Sequence, residues 1–314
     1  MSLGESKKNA QAIRSQHERQ KGIFTMTKFD RRRKYYLILD CETATLPYAA
    51  NYDGETKKSI AIAKPLIYDL GWTVIDRSGK IYKRVNYLIT EIFSVPSVFN
   101  TAYYAHKRPI YLERLRNGEI TLRTWNEAIT ELMEDMESVE SVGAYNSMFD
   151  FKKAIPFTEL YISKLYSPDF YNWEQMQNES CERIAHGMKK NYDRDFDRMH
   201  FSFRGNEYNL FDVWGMACNH LINIHEYKKM CYDNEWKTAS NKYFKTSAET
   251  TFRYLEMDTS FEESHTAIDD AEIESAIFAE VFKKTKGKFE MGIIYFPFRI
   301  LGTVRQYEIE NEIE

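Results

Sequence analysis

The sequence predicts an α/β domain with a mixed sheet and helices on its faces. Three observations carry that expectation. Apolar strand-like runs alternate with stretches of helical period. Two of the strands are joined as a hairpin, so the sheet cannot be all parallel. Several strands also end in an acidic residue at the point where a helix or loop begins, the edge on which α/β folds place their sites.

The elements follow in order. Residues 1–33 show no sustained apolar period and are expected to form a basic leader. The chain carries a net charge of -4, yet residues 1–34 hold ten Lys or Arg against three acids, leaving about -11 on the remainder. Such an arm can touch nucleic acid or simply be solvated. The run "YYLILDCETA" from Tyr35 reads as a buried strand closing in Asp40 and Glu42. "ATLPYAANYDGETKKS" reads as a loop because Pro47 and Gly54 lie among polar residues. "PLIYDLGWTVID" (65–76), the turn "RSGK" and "IYKRVNYLI" (81–89) form the hairpin, and a loop-rich segment with Pro96 and Pro109 follows.

Apolar residues at 122, 125, 129, 132, 133 and 136 predict a helix over 121–136, with Thr121 as its cap. A short strand "VGAYN" (142–146) precedes a helix starting near Met148, which Pro156 should end. Residues 157–206 read as an irregular insertion rich in Tyr, Phe and charge. "YNLFD" (208–212) is a strand feeding the helix "VWGMACNHLI"; another helix begins near Thr246, and "AIDDAEIESAIFAEVFKK" (267–284) is amphipathic. The apolar segment 289–304 is expected to pack on the body or on a partner. Residues 34–288 are thus one domain with an insertion, and 289–314 an apolar, then acidic, extension.

Composition narrows the classes. With 43% hydrophobic and 29% charged residues the chain reads as globular, and no run of 18 apolar residues is long enough for a membrane span. The missing apolar N-terminal segment suggests a cytoplasmic protein. Four cysteines without C-x-x-C spacing fit packed, reduced thiols better than a zinc site or disulfides.

Asp40 and Glu42 leave the same strand face, and paired like charges resist burial unless cations neutralise them. Divalent Mg2+ or Mn2+ suits oxygen ligands of this kind. Taken alone, such a pair is more often a strand end reaching solvent. Asp150, at the start of the helix after another strand, and Asp270, five residues after His265 at a third helix start, bring four carboxylates and an imidazole toward one sheet edge.

In order and spacing these segments resemble the DnaQ-like 3'–5' exonucleases of the RNase H-like superfamily, specifically the DEDDh branch. "DCET" matches D-x-E-T, "AYNSMFD" places Asn146 four residues ahead of Asp150, and "HTAIDD" matches H-x-A-x-x-D, selecting Asp270 over Asp269. "LFDVW" resembles the family's D-T-L junction but departs from it at Val213 and Trp214; Asp212 there reads as a helix cap. The resemblance covers roughly residues 35–285 and implies a mixed five-stranded sheet. It also implies two divalent cations, with Asp40 bridging both, Glu42 and Asp270 holding the one that carries the attacking water, and Asp150 supporting the other. His265 would be the general base, an imidazole being suited to proton transfer near neutral pH.

The implied activity is 3'–5' hydrolysis of terminal phosphodiesters in single-stranded DNA, releasing nucleoside 5'-monophosphates, alone or beside a polymerase or repair partner. The alternatives are an exoribonuclease on the same fold and an inactive nucleic-acid-binding module. Thr43 and Ala44 are expected near the 3'-terminal nucleotide; Asn146 either supports the substrate or closes its turn. In 189–204, six basic side chains, His200 included, alternate with aromatics, a pattern that grips single strands or builds a structural lid or partner surface.

Overall fold

The computed structural model describes residues 34–186 and 197–312. The basic leader and the first half of the basic–aromatic stretch, 189–196, lie outside the described residues. Among the described residues, seven strands form one sheet in the order β4-β3-β2-β1-β5-β7-β6. They are β1 (Tyr35–Ala44), β2 (Leu66–Asp76), β3 (Ile81–Ile89), β4 (Thr121–Arg123), β5 (Ser141–Ala144), β6 (His200–Phe203) and β7 (Asn206–Asp212). β2 runs antiparallel to β1 and β3, and β6 antiparallel to β7, while β1 pairs in parallel with β5, and β5 with β7. The sheet is therefore mixed, as expected, but it has seven strands, not five. The added strands are its edges, β4 and β6, each short enough that periodicity within it is barely readable.

The helices of seven or more residues are α1 (Gly54–Ala63), α2 (Arg108–Arg116), α3 (Trp125–Glu137), α4 (Ile155–Leu165), α5 (Phe170–Ala185), α6 (Val213–His220), α7 (His225–Asp233), α8 (Ala248–Glu256), α9 (Ala267–Thr285) and α10 (Val304–Glu310). Two apolar layers cover the sheet. Leu37, Leu39 and Cys41 of β1 join one layer with Trp125, Leu132, Phe151 and Tyr161. Tyr36 and Ile38 join the other with Phe211, Met216, Ile277 and Phe278. The alternation along β1 is the period of a strand buried on both faces.

Several boundaries differ from the sequence expectation, each for a local reason. The helix expected from Thr121 starts at Trp125, because Thr124 and Glu127 form a reciprocal capping box that leaves Thr121–Arg123 to pair as β4. Pro156 does not end its helix. Ser147–Phe149 leads into a π segment, Asp150–Ala154, in which the Ile155 amide reaches back to the Asp150 carbonyl, and Pro156 then sits in the first turn of α4. In that position a missing amide costs little. Pro96 and Pro109 likewise open helical turns, Pro96–Phe99 and α2. The polar loop after β1 contains α1, capped by the Asp53 side chain on the Thr56 amide. The insertion 157–206 is largely helical where it is described: α4 and α5 pack through Tyr161, Phe170 and Trp173. The C-terminal segment folds back on the body, burying Ile293, Leu301, Val304 and Tyr307.

One contact fixes where α9 begins. A Cβ on Gly71 of β2 would lie 2.4 Å from the Ile268 nitrogen and 2.5 Å from the Ala267 carbonyl carbon. Helix and strand backbones touch there, and only glycine leaves the room.

Candidate metal centre at the sheet edge

The C-terminal ends of β1, β5 and β7 lie side by side, with Ile38 opposite Gly143 and Ala144 opposite Asp212. Asp40 and Glu42 extend from this edge on β1, and the bulge between Glu42 and Thr43 turns the chain just beyond them. Asp150 enters on the π segment after β5, buried to 4% exposure. Asp270 enters on the first turn of α9, at 7%.

Ligand atoms of Glu42, His265 and Asp270 all lie within 4.8 Å of one another. His265 Nδ1 is 4.0 Å from Asp270 Oδ2 and 3.7 Å from Glu263 Oε2. Asp40 joins this group electrostatically: burial raises its carboxyl well above the usual range, helped by the charges of Glu274, Asp270, Asp150 and Glu42. Burial, then Asp270 and Asp69, likewise raises Glu42. Burial pushes Asp150 up to about 7, against the hydrogen bond donated by the Cys41 thiol to Asp150 Oδ1 at 3.1 Å. Burial and then the Glu263 charge bring Asp270 to about 8. His265 is lowered by its own burial and by the Lys107 ammonium, which favours the neutral imidazole.

A dense set of raised carboxyls is what a cation site looks like to a proton when no cation competes. Asp270 Oδ1 is buried with no hydrogen-bond partner in the structure, and so is Glu263 Oε1. Buried carboxylate oxygens normally find a donor. Clustered carboxylate oxygens suit a hard divalent ion such as Mg2+ or Mn2+, so the acids present fit the group that the sequence implied.

Of the five predicted site residues, Glu42, His265 and Asp270 meet within 4.8 Å, while Asp40 and Asp150 adjoin that group through their charges. The choice between neighbouring acids also follows from the geometry: Asp269 is held by Arg84 and Arg114, at 3.2 and 2.6 Å, while Asp270 faces Glu42 and His265. The other expected residues divide. Thr43 is half-buried at the bulge, but Ala44 is 1% exposed and its methyl belongs to the apolar layer. Asn146 is exposed, and its carbonyl accepts the Phe149 and Asp150 amides at 2.7 and 3.3 Å, closing the turn that presents Asp150. Asp212 is buried, rises to about 8 through that burial, and accepts the Ser147 amide at 3.3 Å, tying the start of α6 to the same turn. Phe201 and Phe203 of the basic–aromatic stretch are buried edge-strand side chains, which removes them as stacking platforms.

Sequence reasoning missed two carboxylates. Glu274, 4% exposed, follows Asp270 by one helical turn; its Oε2 accepts the Tyr145 amide at 3.0 Å, and its charge is the largest single influence on Asp40 after burial. Its signal was an acid on the stripe that Ile277 and Val281 continue into the core. Asp69, fully buried opposite Glu42, accepts the Ala267 amide at 3.0 Å and the Asn86 side-chain amide at 2.6 Å. It therefore caps α9 from another strand, a role that Thr266 at the N-cap does not fill with its own side chain. Its signal was an acid inside an otherwise apolar strand.

Set against protein-family models, curated proteins and solved structures, the chain finds no match in any of the three.

Proposed function

We propose that the chain is a metal-dependent 3'–5' exonuclease of the DnaQ-like, DEDDh type on an RNase H-like fold, acting on single-stranded DNA ends. The observation that carries this reading is the meeting of Glu42, His265 and Asp270 within 4.8 Å, from segments more than 200 residues apart, beside the raised carboxyls of Asp40 and Asp150. A mixed sheet whose inner strands β3-β2-β1-β5-β7 hold one antiparallel member supports it. So does the position of every motif residue at the same edge.

On this reading Asp40, Glu42, Asp150 and Asp270 would hold two Mg2+ or Mn2+ ions. When bound, such ions supply Lewis-acid stabilisation of the charge that develops on phosphoryl oxygens. The chain's own residues do the rest. The neutral His265 imidazole accepts a proton from the attacking water, a role its lowered affinity for protons allows at neutral pH. Glu263, pushed to about 7 by burial, lies 3.7 Å from His265 Nδ1 and can receive or orient that nitrogen's proton. The Asn146 turn presents Asp150, and the Asp69 cap seats the helix end that carries His265 and Asp270.

The test uses 5'-labelled single-stranded DNA and RNA oligomers, incubated with Mg2+, with Mn2+ or with chelator. The expected result is a metal-dependent ladder that shortens from the 3' end of DNA and is lost in Asp40→Ala. His265→Ala should lose about 10²–10⁴-fold in rate, the usual share of a general base, while keeping divalent-cation binding. Equal digestion by the Asp40 variant sinks the proposal, and faster digestion of RNA moves the substrate to the ribonucleic class.

A further inference from the structure

His265 adopts a left-handed backbone, φ +49°. A residue with a β-carbon is uncommon there, and it persists only where its surroundings impose it. The residues that impose it come from one stretch, which runs from the connection after β3 into α2.

The Tyr104 ring stacks on the His265 imidazole, with centroids 4.4 Å apart and planes at 16°. Lys107 Nζ lies 4.4 Å from the centre of the Tyr104 ring and donates to the Ser264 carbonyl at 2.6 Å, one residue before the strained position. On the following side, Arg114 of α2 donates to Thr266 Oγ1 at 3.1 Å and to Asp269 Oδ2 at 2.6 Å. Residues 264, 265, 266 and 269 are thus all held by residues 104, 107 and 114.

The segment is itself tied down. Tyr111 of α2 is fully buried, edge-on to Tyr68 and Phe93, and Arg108 lies over the rings of Phe93 and Phe99. Thr101 exchanges two hydrogen bonds with the Thr45 backbone, at 2.8 and 3.0 Å, just beyond the carboxylates of β1. Clamp and carboxylates therefore share one rigid base.

We propose that Tyr104, backed by Lys107 and Arg114, is a positioning residue that fixes the His265 imidazole against Glu42 and Asp270. This rests on the reading of His265 as the general base. A flat aromatic partner suits the task, because stacking sets ring tilt while leaving both imidazole nitrogens free for proton transfer. Ring stacking carries the effect, and the phenol hydroxyl does not.

The experiment compares Tyr104→Phe and Tyr104→Leu with the wild type in the full chain. Histidine-labelled NMR follows the His265 ring protons, assigned by their loss in His265→Asn, and calorimetry follows Mn2+ binding. Saturation kinetics on single-stranded DNA give the third readout. Tyr104→Leu should shift the His265 ring protons downfield, keep Mn2+ binding, and lose about 10²-fold in kcat with KM nearly unchanged, the scale of an ångström misplacement. Tyr104→Phe should restore both the shift and the rate. An unchanged ring-proton position in the Leu variant, or a wild-type kcat, overturns the clamp. If the wild type cleaves no nucleic acid, the exonuclease reading fails, and the ring-proton comparison alone still decides whether Tyr104 sets the imidazole.

Discussion

Replacing Asp270 by Asn should make the metal-free protein more stable at pH 8 while destroying its function. Burial and the Glu263 charge raise the Asp270 carboxyl from 3.8 to about 8 in the folded chain. The unfolded chain releases this proton near 3.8, whereas the folded chain keeps it until about 8. Below the lower value both states are protonated and nothing is lost; as pH rises between the two, the folded state is progressively penalised. At about 1.4 kcal/mol per pKa unit, a rise of roughly four units caps the penalty near 6 kcal/mol at pH 8. Neighbouring carboxyls that keep their own protons relieve part of it, so half, about 3 kcal/mol, is the expected gain on neutralising the side chain. For a chain of this size that corresponds to a rise in Tm of about 5 °C.

The assay is thermal unfolding in chelator from pH 5 to 9, with and without Mg2+. Wild type should weaken toward pH 8 and recover with Mg2+, by about 2.7 kcal/mol at a hundredfold excess over Kd. The Asn variant should lose the Asp270 share of the pH slope, the raised carboxyls of Asp40, Glu42, Asp150 and Glu263 keeping theirs, together with most of the response to Mg2+. A variant no more stable than wild type at pH 8 in chelator, with the same slope, would refute the electrostatic account of the site.

Two further substitutions probe how α9 is seated. Gly71→Ala forces a methyl into the Ala267–Ile268 backbone at 2.4–2.5 Å and should cost about 3 kcal/mol or more by overpacking, read from urea midpoints; a loss under about 1 kcal/mol would mean that the helix end yields easily. Asp69→Ala removes the acceptor shared by the Ala267 amide and the Asn86 side chain. The two abandoned donors should cost roughly 2–4 kcal/mol, with cation binding weakened as the helix start loosens, and an unchanged midpoint would rule out the capping role.

Much of the site was legible because each motif carries its local frame with it. Asp40 and Glu42 share a strand face by the period of two, and Asp270 sits on the first turn of a helix whose apolar stripe is plain in the sequence. The insertion and the loop-rich segments were less legible. α1 and α2 have weak apolar periods, and Pro109 reads as a breaker although it stands in the first turn of α2. The expected helical stop at Pro156 failed for the same reason, since the π segment upstream absorbs the break. β4 and β6, of three and four residues, gain their identity from their neighbours in the sheet.

The chain order by itself determined the mixed α/β class, the hairpin of β2 and β3, and the residues Asp40, Glu42, Asp150, His265 and Asp270. The class and the hairpin follow from side-chain periodicity, a property of neighbours along the chain, and the five residues were singled out by the resemblance of their motifs to a known family. Tertiary structure alone decided that Glu274 and Asp69 join these acids, that Asp269 is turned away to two arginines, and that Tyr104 lies flat on His265. Each is a contact between residues 129 to 198 positions apart, or follows from one. Such contacts depend on how helices and strands pack, and no local pattern encodes that packing.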